Sequence, residues 1–133
     1  MRQVLVIAAH PDDELLGCGG TIIRHISEGD KVHILIMAEG ATAREAKRNS
    51  GMHTGAEKLF DKSRQVAALL GAQEPIFAKL HDNRMDSYDF LDLVKIIEKI
   101  TTKIEPEIVY THHGGDLNID HQLTHRATLT ALR

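Results

Sequence analysis

Residues 4–14 constrain the fold of this chain more than any other stretch. Residues 4–8 (Val-Leu-Val-Ile-Ala) form a continuous apolar run rich in β-branched side chains, which is typical of a buried parallel strand. Residues 9–14 (Ala-His-Pro-Asp-Asp-Glu) follow directly, and an amphipathic helical pattern begins at Glu14. Pro11 fixes its own φ and holds His10 in an extended conformation. An imidazole and three carboxylates therefore lie on a stiff turn where a strand ends and a helix begins.

The rest of the chain alternates between strand and helix patterns. Short apolar runs predict three further strands, and apolar residues at helical spacing predict four helices. The strands are expected at residues 31–37, 75–80 and 108–111, and the helices at residues 14–28, 57–70, 89–103 and 119–133. Residues 38–55 interrupt the pattern and are expected to form a long loop, with or without a short helix. Such alternation indicates parallel strands with right-handed crossovers and helices on both faces. We therefore expect one α/β domain, a three-layer sandwich around a mostly parallel sheet.

Composition excludes several classes of protein. The chain has 133 residues, of which 42% are hydrophobic and 26% charged, as is ordinary for a single globular domain. The net charge is −3 and no block of lysine and arginine occurs, which argues against a nucleic-acid surface. The apolar runs are too short for a membrane span or for the core of a signal peptide. Because Cys18 is the only cysteine, no intrachain disulfide can form, and we expect a reducing, cytoplasmic location.

Polar side chains that follow the predicted strands are expected to meet at one edge of the sheet. The carboxyl ends of parallel strands share that edge, and ligands of open α/β sheets bind there. Histidine and aspartate are zinc ligands, so the edge is a candidate metal site. The expected cluster contains His10, Asp12, Asp13, Asp82, Arg84, His112, His113, Asp116, Asn118, Asp120 and His121.

Two local interpretations compete with a metal site built across this edge. Asp12 or Asp13 could instead cap the first helix, although a cap leaves His10 and the repulsion among three carboxylates unexplained. His121 and His125 are four residues apart, so they would share one face of a helix and could bind zinc as a pair. On the residues alone, both alternatives stay open.

Three motifs in this chain resemble those of a known family. Residues 9–14, placed after a first strand, and Asp120-His121 far downstream resemble the LmbE-like (PIG-L) deacetylases. Residues 80–86 (Leu-His-Asp-Asn-Arg-Met-Asp) resemble the middle motif of the same family. The motifs occur in the right order, and the resemblance covers nearly the whole chain. It implies a Rossmann-like fold and a zinc-dependent hydrolase that removes N-acetyl groups, mostly from N-acetylglucosamine-containing compounds.

The resemblance implies a role for each residue of the metal motifs. His10, Asp13 and His121 match three zinc ligands, and Asp12 matches a general base that does not bind the metal. Two nitrogens and one carboxylate leave a fourth position for water, which zinc activates for attack on an amide near neutral pH. Asp12 would take the proton of that water and give it to the leaving amine. Independently of the resemblance, Asp120 lies next to His121, and a carboxylate near a ligand histidine usually orients it, so we expect this role for Asp120.

The resemblance also implies a site for a small N-acetylated sugar or glycoconjugate. Asp82 in the middle motif matches a position implicated in sugar contacts, and Arg84 lies close to it. Arg64, in the helix before that motif, matches a substrate-binding arginine. We expect these three side chains to contact the substrate.

At Asn118 the chain departs from the family pattern. Many members have a histidine at this position, three residues before the ligand histidine, where it stabilises the tetrahedral oxyanion. An amide can donate a hydrogen bond to an oxyanion but cannot deliver a proton. Either Asn118 takes over the electrostatic role, or His112 or His113 supplies it.

The chain is also short for the family. Members usually continue well past the helix that follows the Asp-His motif, whereas this sequence stops at Arg133. We therefore expect a domain shortened at its C-terminal end, with part of the substrate pocket missing. Leu123, Leu129 and Leu132 would then form an uncovered apolar stripe. We expect that the chain either pairs with a second copy through this stripe as a homo-oligomer or is less stable than a longer form.

Two other functions remain compatible with the sequence. A phosphoesterase-type hydrolase with two divalent ions would need more ligands, which Asp82, Asp116 and His125 could provide. A non-catalytic sugar- or metal-binding protein would keep the fold without turnover. Divalent metals other than zinc are also possible, since a site of two histidines and one aspartate accepts several.

Overall fold

A computed structural model describes residues 1–43 and 54–133, where strands and helices alternate as the sequence predicts. The elements are β1 (Gln3–Ala8), α1 (Asp13–Ser27), β2 (Lys31–Ala38), α2 (Thr54–Leu70), β3 (Ile76–Leu80), α3 (Phe90–Ile104), β4 (Ile108–Tyr110) and α4 (Ile119–Ala131). A short 3₁₀ helix, Met85–Ser87, lies between β3 and α3. The loop expected at residues 38–55 falls largely on residues 44–53, which lie outside the described residues, and α2 begins earlier than predicted, at Thr54.

The four strands form one parallel sheet in the order β3-β2-β1-β4. The chain moves outward from β1 to β2 and β3, and then returns to the other side of β1 with β4. The direction of winding therefore reverses between β1 and β4, and ligands of such sheets bind in the crevice outside the carboxyl ends at this point. The expected α/β fold with a parallel sheet is confirmed.

Alternate side chains of the central strand pack against opposite helical layers. Leu5 and Ile7 belong to the apolar cluster formed with α3 and α4, whereas Val4 and Val6 belong to the cluster formed with α1 and α2. All four are buried. Burial on both faces explains why β1 is continuously apolar in sequence instead of alternating between apolar and polar residues.

The apolar residues expected to form a stripe on α4 do not share one environment. Leu123 packs against the core, whereas Leu129 and Leu132 are 59% and 43% exposed. The expected stripe is therefore reduced to two side chains at the end of the helix. None of the helices in the described part of the chain is long and apolar enough to cross a membrane.

Two apolar positions on α3 separate core packing from surface exposure. Ile97 is fully buried and Leu91 is 62% exposed. We expect Ile97→Ala to lower the free energy of unfolding by about 2–5 kcal/mol, because it leaves a cavity in the core. Leu91→Ala on the same helix should change it by less than about 0.5 kcal/mol. Urea titrations of both variants check this, and equal losses would contradict the assignment of α3 to the core.

Candidate metal centre

In the turn between β1 and α1, the carboxylates of Asp13 and Glu14 accept backbone N–H groups, whereas that of Asp12 makes no capping hydrogen bond. The His10 N–H donates to Asp13 Oδ2 at 2.9 Å, and the Asp12 N–H donates to Glu14 Oε2 at 2.9 Å. Asp12 occupies the N-cap position of α1, but its side chain makes no capping hydrogen bond. The helix-cap interpretation of the aspartates is therefore wrong for the Asp12 side chain. The backbone of Asp12 has φ 115°, a left-handed conformation that is costly for a residue with a β-carbon.

Three candidate ligand atoms converge beside this turn. His10 Nδ1 lies 3.3 Å from Asp13 Oδ2, His121 Nε2 lies 3.1 Å from the same oxygen, and the two nitrogens are 3.3 Å apart. Bonds of about 2.0–2.2 Å to a tetrahedral zinc ion would place ligand atoms about 3.3–3.6 Å from one another. His10, Asp13 and His121 therefore fit one divalent ion with a fourth coordination position open.

A buried carboxylate fixes which nitrogen of His10 faces this centre. His10 Nε2 lies 2.8 Å from Asp120 Oδ2 and 3.2 Å from Asp82 Oδ1. Asp120 is fully buried and also accepts the backbone N–H groups of Asn83 at 2.7 Å and Met85 at 3.0 Å. Because carboxylates accept hydrogen bonds, Nε2 carries the proton of the neutral ring, and Nδ1 then presents its lone pair to the ligand cluster.

The outer nitrogen of His121 is oriented by Asp116. Nδ1 of His121 lies 2.9 Å from Asp116 Oδ2, and the other oxygen of Asp116 accepts the Asn118 N–H at 2.9 Å. The expectation that Asp120 orients its sequence neighbour His121 is wrong, because Asp120 contacts His10 instead. Adjacent residues of a helix point in directions about 100° apart, so two neighbours face different partners.

His112 and His125 occupy positions next to the centre without completing it. The His112 ring stacks on the His121 ring with centroids 3.9 Å apart, but its Nε2 accepts the Ala9 N–H at 2.8 Å and has no lone pair left for a metal. His125 Nδ1 donates to the carbonyl oxygen of His112 at 2.7 Å, and Gly114 lies against its Nε2. His125 is in none of the groups of candidate ligands among the described residues, which argues against the zinc pair of His121 and His125.

Asn118 is the N-cap of α4. Its Oδ1 accepts the N–H groups of Asp120 at 2.9 Å and His121 at 3.3 Å, which stabilises the start of the helix. Its Nδ2 donates to Asn83 Oδ1 at 2.8 Å. The residue that departs from the family pattern thus positions both Asp120 and His121 through the backbone.

The expected substrate residues have different positions. Asp82 is buried beside His10, and Arg84 is half-buried in the turn after β3. Arg64 pairs with Asp61 at 2.7 Å and Glu74 at 3.3 Å, near the amino end of β3. The structure therefore brings Asp82 to the centre but does not bring Arg64 there, because α2 presents Arg64 to the opposite end of the strand.

Sequence reasoning missed Glu39, a buried carboxylate just after β2. Glu39 accepts the Ala41 N–H at 2.6 Å, the Thr42 hydroxyl and the Asp82 N–H at 3.2 Å. Asp82 in turn accepts the Ala43 N–H at 3.1 Å. Glu39 thereby ties the segment after β2 to the turn after β3. The available signal was an acidic residue directly at the end of an apolar strand.

The carboxylates give the centre a strong preference for positive charge. Burial acts to lower the pKa of His10, but hydrogen bonds with Asp120 and Asp13 outweigh it and raise the pKa to about 10. Asp13 is half-buried, which acts to raise its pKa, yet its hydrogen bonds with His10 hold that pKa below the usual value. In contrast, partial desolvation and then the Asp13 charge raise the pKa of Asp12, which is an exposed residue. Burial and then the charge on His121 lower the pKa of His112 to about 4.

Comparison with known proteins finds relatives that are named as deacetylases. The family model described as PIG-L: GlcNAc-PI de-N-acetylase matches residues 5–132. The uncharacterized deacetylase YaiS of Escherichia coli K12 is 31% identical over 99% of this chain and 69% of its own length. The 1D-myo-inositol 2-acetamido-2-deoxy-alpha-D-glucopyranoside deacetylase of Rhodococcus jostii RHA1 is 26% identical over 98% of this chain, which spans 53% of that protein.

Solved structures of low identity share the fold. The N,N'-diacetylchitobiose deacetylase of Pyrococcus horikoshii superposes with a TM-score of 0.82 at 23% identity, covering 98% of this chain and 49% of that one. GalB, the 4-carboxy-2-hydroxymuconate hydratase of Pseudomonas putida KT2440, superposes with a TM-score of 0.81 at 24% identity, covering 98% of this chain and 55% of that one. The chain thus spans about half the length of these two proteins.

Asp116 offers a direct test of the candidate ligand set. We expect Asp116→Asn to weaken zinc binding about 10–100-fold, because it removes the charge that orients His121 and makes its Nε2 more basic. Asp61→Asn, an exposed carboxylate paired with Arg64, is the matched control and should not change the affinity. Competition with a chelating dye measures both constants. Equal affinities in the two variants would contradict a role of His121 as a ligand.

The left-handed backbone at Asp12 predicts a gain in stability from glycine. Asp12→Gly should raise the free energy of unfolding by about 1 kcal/mol, because glycine adopts positive φ without the clash of a β-carbon. Asp12→Ala removes the same carboxylate but keeps the β-carbon, so it should show no such gain. Chemical denaturation of the two variants separates backbone strain from side-chain charge. A gain in both variants would mean that repulsion with Asp13 is the cause.

Proposed function

The chain belongs to the PIG-L family, and from this premise we propose that it is a zinc-dependent hydrolase that removes the N-acetyl group from an amino sugar or an N-acetylglucosamine-containing conjugate. One observation carries the proposal. Two imidazole nitrogens and one carboxylate oxygen converge within 3.1–3.3 Å, next to an aspartate whose side chain caps no helix. This arrangement supports a metal site with an open position and a proton acceptor beside it.

Each residue of the centre has a separate task in this proposal. His10, Asp13 and His121 would hold the ion, which would supply Lewis acidity and lower the pKa of water. Asp120 and Asp116 keep the ligand nitrogens pointed at one place. Because both outer nitrogens are tied to carboxylates, neither ring can turn without losing a charge-assisted hydrogen bond.

Asp12 is the proposed general base and acid. It would take a proton from the attacking water as the C–O bond forms and give it to the amine nitrogen as the C–N bond breaks. The reaction consumes one water and yields acetate and the free amine. Partial desolvation and the neighbouring Asp13 charge raise the pKa of Asp12, the direction that a carboxylate needs to exchange protons near neutral pH.

The sugar is proposed to lie on the β2–β3 side of the centre. A cavity of about 490 Å³ is lined there by Gly40, Ala41, Ala43, Asp82 and Asn83. Backbone groups and short polar side chains suit a neutral polyhydroxyl ligand better than an apolar one. The substrate class follows from the relatives, which act on N-acetylated sugars by name. Contacts of Asp82 and Arg84 with the sugar stay predictions.

A two-metal phosphoesterase fits the described residues less well. Asp82 and Asp116 lie at the outer nitrogens of His10 and His121, and His125 is bonded to the backbone. The additional carboxylates therefore orient one set of ligands instead of forming a second. The likeness to a hydratase concerns the fold, and one fold hosts several chemistries.

Acetate release tests the proposed activity. The zinc-loaded chain should release acetate from at least one of N-acetylglucosamine, N,N'-diacetylchitobiose and N-acetylglucosaminyl-inositol, and removal of the ion should abolish this release. Zinc content should be one ion per chain. If no member of this panel is hydrolysed with zinc or another first-row divalent ion, or if phosphate esters are hydrolysed instead, the proposal is wrong.

Paired substitutions test the division of roles between the two aspartates. Asp12→Asn should keep the ion and lower kcat about 10²–10⁴-fold, because the amide cannot accept the proton. Asp13→Asn should lose the ion. Metal content and acetate release are measured on both variants, with Asp61→Asn as the control for a surface carboxylate. If Asp12→Asn strips the ion and Asp13→Asn keeps it, the two roles are reversed.

A further inference from the structure

The proposed reaction needs a hydrogen-bond donor that Asn118 is poorly placed to supply. During amide hydrolysis the carbonyl oxygen gains negative charge, and donors preorganised around it stabilise the transition state. Asn118 uses its Oδ1 to cap α4 and one Nδ2–H to bind Asn83. Both ends of its side chain are therefore engaged in holding the loop before α4.

His112 has an N–H that the described protein does not use. Its Nε2 accepts the Ala9 N–H at 2.8 Å, so the proton of the neutral ring lies on Nδ1. Only 12% of the side chain is exposed, yet Nδ1 has no hydrogen-bond partner among residues 1–43 and 54–133. Within these residues, every fully buried side-chain nitrogen has a hydrogen-bond partner. Because His112 Nδ1 has none, it is not fully buried, and its N–H faces open space.

His112 also lines a cavity that adjoins the candidate metal ligands. This cavity of about 260 Å³ lies between α1 and the end of β4, and its lining includes Asp13, Gly17, Thr111 and His112. The His112 ring stacks on His121, and its Nε2 is 3.6 Å from Asp13 Oδ2. The cavity is separate from the proposed sugar cavity, which lies on the β2–β3 side. The centre is thus flanked by two separate cavities.

We propose that His112 contacts the substrate as a neutral hydrogen-bond donor: its Nδ1–H binds the acyl oxygen that becomes negatively charged, while the acyl methyl group occupies the β4-side cavity. This inference rests on the proposed function. The Ala9 N–H selects the tautomer, and stacking on His121 fixes the plane of the ring. No proton is transferred by His112; it donates a hydrogen bond and keeps its proton throughout.

Two substitutions at His112 separate the roles of its two nitrogens. In His112→Asn, the side-chain amide places an N–H near the position of Nδ1, but no acceptor remains for the Ala9 N–H. Gln places an oxygen near the position of Nε2, which still accepts the Ala9 N–H, but lacks the donor at Nδ1. We expect His112→Gln to lower kcat about 10²–10³-fold with little change in KM and full zinc content. The loss of kcat in His112→Asn should be at least tenfold smaller than the loss in His112→Gln. The melting temperature of His112→Asn should fall, because the Ala9 N–H loses its acceptor.

Binding of methylphosphonate gives a readout that does not depend on turnover. This tetrahedral anion, titrated calorimetrically into the zinc-loaded protein, should bind His112→Gln at least tenfold more weakly than the wild type, and His112→Asn within about threefold of it. Loss of affinity or kcat in His112→Asn but not in His112→Gln would assign His112 a structural role. Equal losses in both variants, or loss of zinc, would likewise overturn the donor assignment. If the wild type releases no acetate but the binding order holds, the proposed function fails and the donor site stands.

Discussion

The carboxylate of Asp120 is the interaction on which the geometry of the centre depends. It is fully buried and accepts three hydrogen bonds, from His10 Nε2 and from the backbone N–H groups of Asn83 and Met85. These donors come from the turn after β1 and the turn after β3, and Asp120 itself belongs to α4. One buried charge thus joins three segments that are far apart in sequence. Leaving it unpaired would be costly, so the three segments are held in one arrangement.

The location of the centre could be predicted because it follows from topology. Parallel strands end at one edge of a sheet, so His10 after β1 and His121 after β4 had to come close once the alternation of strands and helices was recognised. The pairing of carboxylates with histidines could not be predicted in the same way. Whether Asp116 or Asp120 orients His121 depends on rotation about the axis of α4 and on the loop that Asn118 closes. Likewise, the position of Arg64 depends on which end of β3 the side chains of α2 face.

Charge balance explains why so many carboxylates can lie together. Asp13, Asp82 and Asp120 all approach His10, and like charges at such distances repel unless a cation offsets them. Without an ion the protonated His10 supplies this positive charge, as its raised pKa indicates. A divalent ion in the same place would provide more charge and release the proton, so metal binding and folding stabilise each other. This charge balance supports the proposed cation site.

Asp12 and Asp13 show how two identical neighbours acquire different chemistry. Asp13 accepts the His10 N–H and lies between two imidazoles, which lowers its pKa and fixes it as an anion. Asp12 is turned the other way by a left-handed backbone, where partial desolvation and the Asp13 charge raise its pKa. The two residues are identical in sequence, and the turn gives them different environments. Pro11 restricts the backbone before Asp12, and Glu14 accepts the Asp12 N–H. The strained φ at Asp12 thus accompanies the separation of an anchoring carboxylate from the one that we propose to exchange a proton.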